Sequence, residues 1–569
     1  MLKKSWEINT FKKGIGSENK TGYSWLLQNV DIDSIENSVI ASNKLFEETN
    51  SNSLSSLGEN YWSTIFDGRN YSISKSGKCI REQGGSWTLQ FENEETNGGL
   101  GLFGDSNIAS GSETGTLYCA SDLYAGRHKI GWSGVEGDWQ SFKTTNNGNL
   151  CPISKFLKFI CFGNRNYLAT WDIGASSWVN DKVTFPEGHN IIWMKPISNY
   201  LVICTYHETD GAMLYFWDGI SQTYNDYIAM GKIKIMAGEV EKGVIYMIGS
   251  NGAIYYLNEG SISEPLYLPD ALNNTSTFNV HPDAFKFFNG SLYIGLNNYE
   301  SINRRLLISG IWKVNFDNKS IVIAHTLSSG SVYNNIIYSI MIHKAESQYK
   351  TLRVAWKDSS DVYRIDNNGL FGGAIKRKNK YNSIIVTPLF DNEPYARKRF
   401  MQMAINLNRK LDASKDARII IKYNTSEEYY KSIVSATSGD EISFNLSTAN
   451  SANVNVGDEV TIIDGTGSGQ IRKIVSKTYN SLTTDYTFIV DEELIDGLEY
   501  SSTSILQISE FIEIADINGE DFPSIINKLL KFHVRAKKIQ FKIEIRNSSS
   551  SDVGISNITT IYVTDKIIK

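Results

Sequence analysis

Residues capable of chemistry are present in this chain, but their spacing does not group them. The seven histidines are His128, His189, His207, His281, His325, His343 and His533, and none forms an HxH, HExxH or HxxxH unit. Those are spacings that place two imidazoles on one ion from a single local element. No local zinc motif is expected, so a metal site would require the fold to bring distant histidines together. Cys79, Cys119, Cys151, Cys161 and Cys204 include no CxxC pair. Their odd number and irregular intervals fit buried, reduced thiols better than a disulfide framework. The stretch Asp464-Gly-Thr-Gly-Ser-Gly-Gln has the glycine content of a phosphate loop. A Walker loop would end in Gly-Lys-Ser/Thr, and a dinucleotide loop would run into a helix. Here Gln470-Ile-Arg-Lys-Ile-Val continues as a strand, so the glycines predict a hairpin turn with positive φ.

Hydrolytic signatures are equally sparse. There is no Gly-x-Ser-x-Gly elbow, and Gly84-Gly-Ser-Trp-Thr matches only the tail of a sialidase-type Asp-box. Glycosidase carboxylates are defined by their separation in space, which spacing along the chain does not encode. Trp132, Trp139, Trp178 and Tyr206 are candidates for stacking on sugars, with packing inside a sheet as the competing role. No catalytic, cofactor-binding or metal-ligating residue is nominated. The chain reads as a protein without a cofactor and not as an enzyme.

The elements that would position any site are strands. Of 569 residues, 41% are hydrophobic and 12% aromatic, with 45 glycines against 9 prolines, a composition that favours short strands and tight turns. The net charge of −6 argues against a broadly basic nucleic-acid surface. The start, Met-Leu-Lys-Lys-Ser-Trp-Glu, lacks the apolar core of a secretory signal, and no window is long and apolar enough for a membrane span. A soluble protein made in the cytoplasm is expected.

The clearest repeat lies within 191–268. Ile191-Ile-Trp-Met, Leu201-Val-Ile-Cys and Ala212-Met-Leu-Tyr-Phe-Trp-Asp-Gly are echoed by Ile233-Lys-Ile-Met, Val244-Ile-Tyr-Met-Ile-Gly and Ala253-Ile-Tyr-Tyr-Leu. A period of about forty residues in β-branched and aromatic runs matches one four-stranded propeller blade. Strand groups at 61–91, 99–142, 155–185, 191–230, 233–268, 282–324 and 336–366 predict seven blades, with Trp171, Trp217, Tyr256, Trp312 and Tyr363 as third-strand anchors. No recurring Gly-His/Trp-Asp pairing or double glycine places the repeat among WD or kelch sequences. The organisation expected is an N-terminal arm over 1–22 and a β-propeller over 23–370. A β-sandwich follows over 384–435 plus 506–569, carrying a small barrel-like β module over 436–505. The polar, basic arm would be ordered only if something holds it, whether a frayed end or a clasp on a neighbouring subunit. Lys376, Arg377, Lys378 and Lys380 form a basic run at the boundary, expected to be a solvated linker.

Two stretches carry a resemblance. Gln28-Asn29-Val30-Asp31-Ile32-Asp33 resembles the entry that precedes the first blade in tail-associated β-propeller proteins of tailed bacteriophages. Thr387-Pro-Leu-Phe-Asp, Ala396-Arg-Lys-Arg-Phe-Met-Gln-Met, Ile419-Ile-Ile-Lys-Tyr and Ile539-Gln-Phe-Lys-Ile-Glu-Ile-Arg are similar to the C-terminal sandwich that follows the propeller in phage virion proteins. Val456-Gly-Asp-Glu-Val-Thr-Ile-Ile-Asp-Gly is similar to a small module of phage structural proteins. The resemblance implies a structural component of a tail machine, located in the virion tail, assembling as a homo-oligomeric ring with other tail proteins around transiently passing DNA. A mildly acidic wall would let DNA slide without sticking. The alternative is a carbohydrate- or receptor-binding propeller, a tail-tip or fibre adhesin that recognises a host-surface glycan.

Overall fold

The computed structural model describes residues 3–8, 11–15, 24, 26–33, 38–42, 45–48, 60–83, 86–93, 97–105, 115–129, 136–258, 260–263, 265–269, 278–298, 308–329, 331, 334–344, 350–358, 361–368, 382–390, 396–411, 417–425, 430–494, 498–521, 527–546 and 553–564. Strands dominate, and the single helical turn among the described residues is the 3₁₀ segment Pro282–Ala284. The chain is all-β, with a propeller, a β-sandwich and a small inserted β module. It divides into two compact units, 46–299 with 335–376, and 1–45 with 300–334 and 377–569.

In the first unit, antiparallel sheets succeed one another along the chain as the repeat predicts. Blade 1 is Asn60–Phe66, Arg69–Ser74, Lys78–Gln83 and Ser86–Glu92. Blades 2 to 4 begin at Gly101, Ile153 and Asn190, each four-stranded, and blade 5 begins at Ile235. The innermost strands form a closed circle. Asn60–Phe66, Gly101–Asp105, Ile153–Phe156, Asn190–Ile197, Ile235–Glu241, Phe285–Phe288 and Ile336–Lys344 each pack against the next, and the last returns to the first. Seven positions are therefore filled.

Burial follows this geometry. The second strand of a blade is covered on both faces by its neighbours, so Phe159–Asn164 is buried throughout, whereas the outer strand Ser177–Thr184 alternates. Apolar clusters cross the boundaries from blade 1 through blade 5 and between blades 7 and 1. Trp62, Ile73 and Phe91 of blade 1 meet Leu102 and Leu117 of blade 2, and Phe159 and Phe185 of blade 3 meet Ile203 and Trp217 of blade 4. All five cysteines are buried and free. Each sits in one of these inter-blade clusters, as a small apolar filler.

The circle closes with a strand from the other end of the chain. Phe46–Glu47 pairs with Asp366–Asn367 as the fourth strand of the seventh blade. The next residue, Glu48, is buried and accepts from Arg353 Nε at 2.7 Å, from Asn367 Nδ2 at 2.6 Å and from Trp87 Nε1 of blade 1.

The second unit departs from the expected boundaries. Leu26–Gln28, assigned to the propeller over 23–370, pairs antiparallel with Ile384–Val386, and Gln28 pairs in parallel with Ile323. The group expected as a sixth blade over 282–324 has its four strands, Phe285–Phe288, Ser291–Asn298, Gly310–Asn315 and Ser320–His325, in the expected order along one sheet. The first two are counted in the first compact unit and the last two in the second. There Ser320–His325 leads through Leu26–Gln28 and Ile384–Val386 to Gln540–Arg546, Arg418–Asn424 and Ile512–Asn518. A second sheet is built on Gly554–Thr564, flanked by Lys398–Leu407 on one side and by Val39–Ala41 and Lys3–Ile8 on the other.

Of the expected N-terminal arm, the segment 3–8 is not frayed but held within its own chain. Lys3–Ile8 is a sandwich strand, held by Trp6 stacked on Phe390 at 4.6 Å and on Phe541 at 6.2 Å.

The insert leaves the sandwich between the paired strands Arg418–Asn424 and Ile512–Asn518. Its seven-stranded sheet surrounds its own core of Phe444, Leu446, Val460, Phe488 and Leu506. The two ends of this sheet, Ser432–Ser435 and Ser438–Gly439, are consecutive in the chain, so the module is barrel-like, as expected, without a ladder between its end strands. A buried ionic cluster fastens it to the sandwich. Glu459 of the insert accepts from Lys422 and Lys542, Lys422 also reaches Glu544 at 2.6 Å, and Arg546 lies 2.7 Å from Glu544. Burying four charges is tolerable only because each has an opposite partner at bonding distance.

Candidate functional site

The centre of the circle is a cavity of about 560 Å³. All seven innermost positions line it, with Trp62, Leu102, Ile153, Trp193, Glu239, Lys286 and Met341 as one representative each. Propellers commonly place ligands on such an axis, so its polar groups merit individual accounting.

Its charged groups are committed across blade boundaries. Asp283, in the 3₁₀ turn, takes the Ser63 amide at 2.9 Å from blade 1, the Ser339 hydroxyl at 2.6 Å from blade 7, and Lys286 Nζ at 2.8 Å from its own segment. Glu239 of blade 5 pairs with Lys195 of blade 4 at 2.7 Å and with Lys286 at 3.8 Å. Lys155 of blade 3 holds both oxygens of Asp105 of blade 2 at 2.9 Å. These pairs form a belt around the axis.

Electrostatics follow from the pairing. Burial pulls the Lys195 ammonium below the ordinary lysine value against the pull of Glu239. Burial likewise acts against Lys286, but Asp283 and Glu239 outweigh it and raise its value. Glu239 also pays for burial, yet Lys195 and Lys286 keep its carboxyl below the usual range. His281 caps the 3₁₀ turn, with its ring accepting from the Asp283 amide, and burial pushes its imidazole down to about 4, so it is neutral near pH 7. Supplying a base or nucleophile from the belt would break a contact between blades.

Three of the four sugar-stacking candidates pack within the blades. Trp139 lies edge-on to Trp171 at 4.7 Å with the Arg127 guanidinium 4.8 Å from its ring centre. Trp178 packs on Phe162 at 5.4 Å and donates to Asn180 Oδ1 at 2.8 Å. Tyr206 is half-buried against the boundary between blades 4 and 5. Trp132, Gly84 and the basic run Lys376–Lys380 lie outside the described residues.

The glycine-rich loop is the predicted hairpin turn. Gly465, Gly467 and Gly469 have φ of 76°, 79° and 85°, and a Cβ on Gly465 would stand 2.0 Å from the Thr503 carbonyl oxygen. Asp464, at its base, accepts from the Ser331 hydroxyl at 2.7 Å and Asn334 Nδ2 at 3.0 Å. An acidic side chain at that position disfavours phosphate.

Among the histidines, His128 stacks on Phe91 at 4.7 Å, His325 is buried and His533 is exposed, while the His343 side chain is outside the described residues. His189 and His207 do converge, together with Asp210. Eighteen residues separate the two imidazoles along the chain, so only strand pairing within blade 4 could bring them together.

No known protein family matches the sequence, and no curated protein does. Among solved structures, the chain is similar to the WD40 β-propeller domain of Doa1, at 14% identity and a TM-score of 0.37, covering 54% of this chain and 94% of that one. It is similar to the computationally designed Ika8 protein at 10% identity and a TM-score of 0.36, covering 62% and 98%. It also resembles the extracellular domain of a hybrid two-component system from B. thetaiotaomicron, at 12% identity and a TM-score of 0.40, covering 61% and 45%.

Proposed function

We propose that this chain is a structural component of a bacteriophage tail machine, a rigid propeller that assembles through its outer loops, sandwich and insert into a homo-oligomeric ring with other tail proteins. The observation that carries this reading is the belt in the central cavity. Lys155, Lys195, Glu239, Asp283 and Lys286 are spent on joining blades, so the place where a propeller usually holds a ligand is given to rigidity. Support comes also from the sequence resemblance at Gln28–Asp33 and in the C-terminal strands. A DNA duplex would pass through a ring of copies, since Trp62, Trp193 and Met341 occupy the axis of a single propeller.

Native mass spectrometry and electron microscopy of the purified chain, alone and with the structural proteins of its parent particle, test the reading. The expected result is a closed ring of fixed copy number. A chain that remains monomeric in both settings and binds a glycan saturably, with binding lost on substituting loop aromatics, would replace the structural reading with the adhesin.

A further inference from the structure

We propose that His189 Nε2, His207 Nδ1 and Asp210 Oδ2 form a three-ligand site for a zinc-class transition-metal ion in the fourth blade, with one coordination position open to water. His189 ends the connection that enters blade 4, immediately before the innermost strand Asn190–Ile197. His207 ends the second strand, Tyr200–His207, and Asp210 lies in the turn that follows. Asn190 pairs with Tyr206, so continuing the register sets the two histidines side by side, with rings 5.3 Å apart and 23° from parallel.

The distances suit one ion. His189 Nε2 is 3.6 Å and His207 Nδ1 3.2 Å from Asp210 Oδ2, and all three donors lie within 4.8 Å of one another. Tetrahedral bonds of roughly 2.0–2.2 Å place adjacent ligand atoms roughly 3.3–3.6 Å apart. Two imidazoles with one carboxylate select zinc, cobalt, nickel or copper over the oxygen-seeking calcium and magnesium.

Orientation supports the assignment. His189 is 2% exposed, and its Nδ1 lies 2.9 Å from the hydroxyl of the fully buried Thr205. In the tautomer whose Nδ1 proton goes to that hydroxyl, the Nε2 lone pair is aimed at the position between the ring and the Asp210 carboxylate where an ion would sit. The Asp210 amide approaches His207 Nδ1 at 3.4 Å, which calls for a lone pair there as well, again opposite the same carboxylate. A cation at the centre satisfies all three. Histidine ligands are typically fixed in this way, with the second ring nitrogen hydrogen-bonded.

The site is not a feature of the repeat. Blades 4 and 5 share a bulge at Ile192 and Met236. Counted from it, blade 5 carries Ile233 and Asn251 where blade 4 has His189 and His207. Gly188, with φ of 79°, completes the arrangement. A Cβ there would stand 2.8 Å from His207 Cδ2 and Nε2, so only glycine lets that ring lie against the incoming chain. His207 and Asp210 are 31% and 54% exposed, leaving a path for the ion.

The test uses the full chain, stripped with chelator and titrated with Co(II), read by its visible d–d absorption, then with Zn(II) as competitor. One equivalent of Co(II) is expected to bind and to be displaced by Zn(II). His207→Ala and Asp210→Asn, which alter solvent-accessible side chains, are expected to weaken binding at least tenfold while leaving the urea-unfolding midpoint near that of the wild type. Thr205→Val is expected to weaken it by about 10–100-fold, and His533→Ala to change nothing. Absence of saturable Co(II) binding by the wild-type chain overturns the proposal. So does binding that persists unchanged in both His207→Ala and Asp210→Asn.

Discussion

Substituting Glu48 with glutamine should loosen the closure of the propeller selectively. The side chain is fully buried and receives Arg353, Asn367 and Trp87, so one carboxylate joins the closing strand to blades 7 and 1. Glutamine preserves the volume but removes the charge, leaving the 5%-exposed guanidinium of Arg353 facing Glu82 at 3.6 Å. Breaking one side of a buried pair costs about 3–5 kcal/mol. Because Glu82 retains part of the compensation, the expected loss lies at the lower end, about 3 kcal/mol. Against a total domain stability of about 5–15 kcal/mol that is a large fraction. Glu48→Ala should lose about 1 kcal/mol more for each orphaned donor. Adding Arg353→Met to Glu48→Gln removes the uncompensated charge and should recover most of the loss. Equilibrium urea unfolding measures the change. Amide hydrogen exchange at Phe46–Glu48 localises it, because the Glu48 amide donates to the Ile365 carbonyl at 2.8 Å. A Glu48→Gln loss below about 1 kcal/mol, the range of an exposed pair, would refute the reasoning. A double variant no more stable than the single would do the same.

Other consequences are testable with the same material. Burial works against the charges of Glu459 and Glu544, but Lys542 and Lys422 hold both carboxyls below the ordinary glutamate range. Their folded values lie below the unfolded one, so this stabilisation is complete above about pH 4.3 and fades as pH falls below it. Limited proteolysis of the insert should therefore accelerate in acid, and Glu459→Gln should flatten that pH dependence. Asp283→Asn should cost about 3 kcal/mol, because Lys286 loses its nearer partner and the Ser63 amide and Ser339 hydroxyl lose an ionised acceptor. Ser339→Ala should cost about 1 kcal/mol, both read from urea midpoints. Burial raises the thiols, with Cys119 pushed up to about 12. A disulfide reagent should label none of the five cysteines in the native chain and all five after unfolding, with kinetics set by opening.

Local information determined a good deal of this molecule. Short β-branched and aromatic runs, such as Leu201-Val-Ile-Cys and Val244-Ile-Tyr-Met-Ile-Gly, specify strands whatever their neighbours, and their forty-residue recurrence specifies blades. The three glycines after Asp464 specify a turn because only glycine adopts those φ values without strain. Partner choice was not local. Lys3–Ile8 carries only Trp6 and Ile8 as apolar residues and reads as a loose arm until Phe390, Phe541 and Gly554–Thr564 are set beside it. Leu26–Gln28 looks like any propeller strand, and only its pairing with Ile384–Val386 sets it beside the C-terminal strands. The ionic belt joins residues far apart in the chain, with Ser63 and Asp283 separated by 220 positions. A charged side chain has no periodic signature, so sequence lists it but does not pair it. The same holds for His189, His207 and Asp210: their types were visible from the start, but strand register and one glycine at position 188 decided that they would meet.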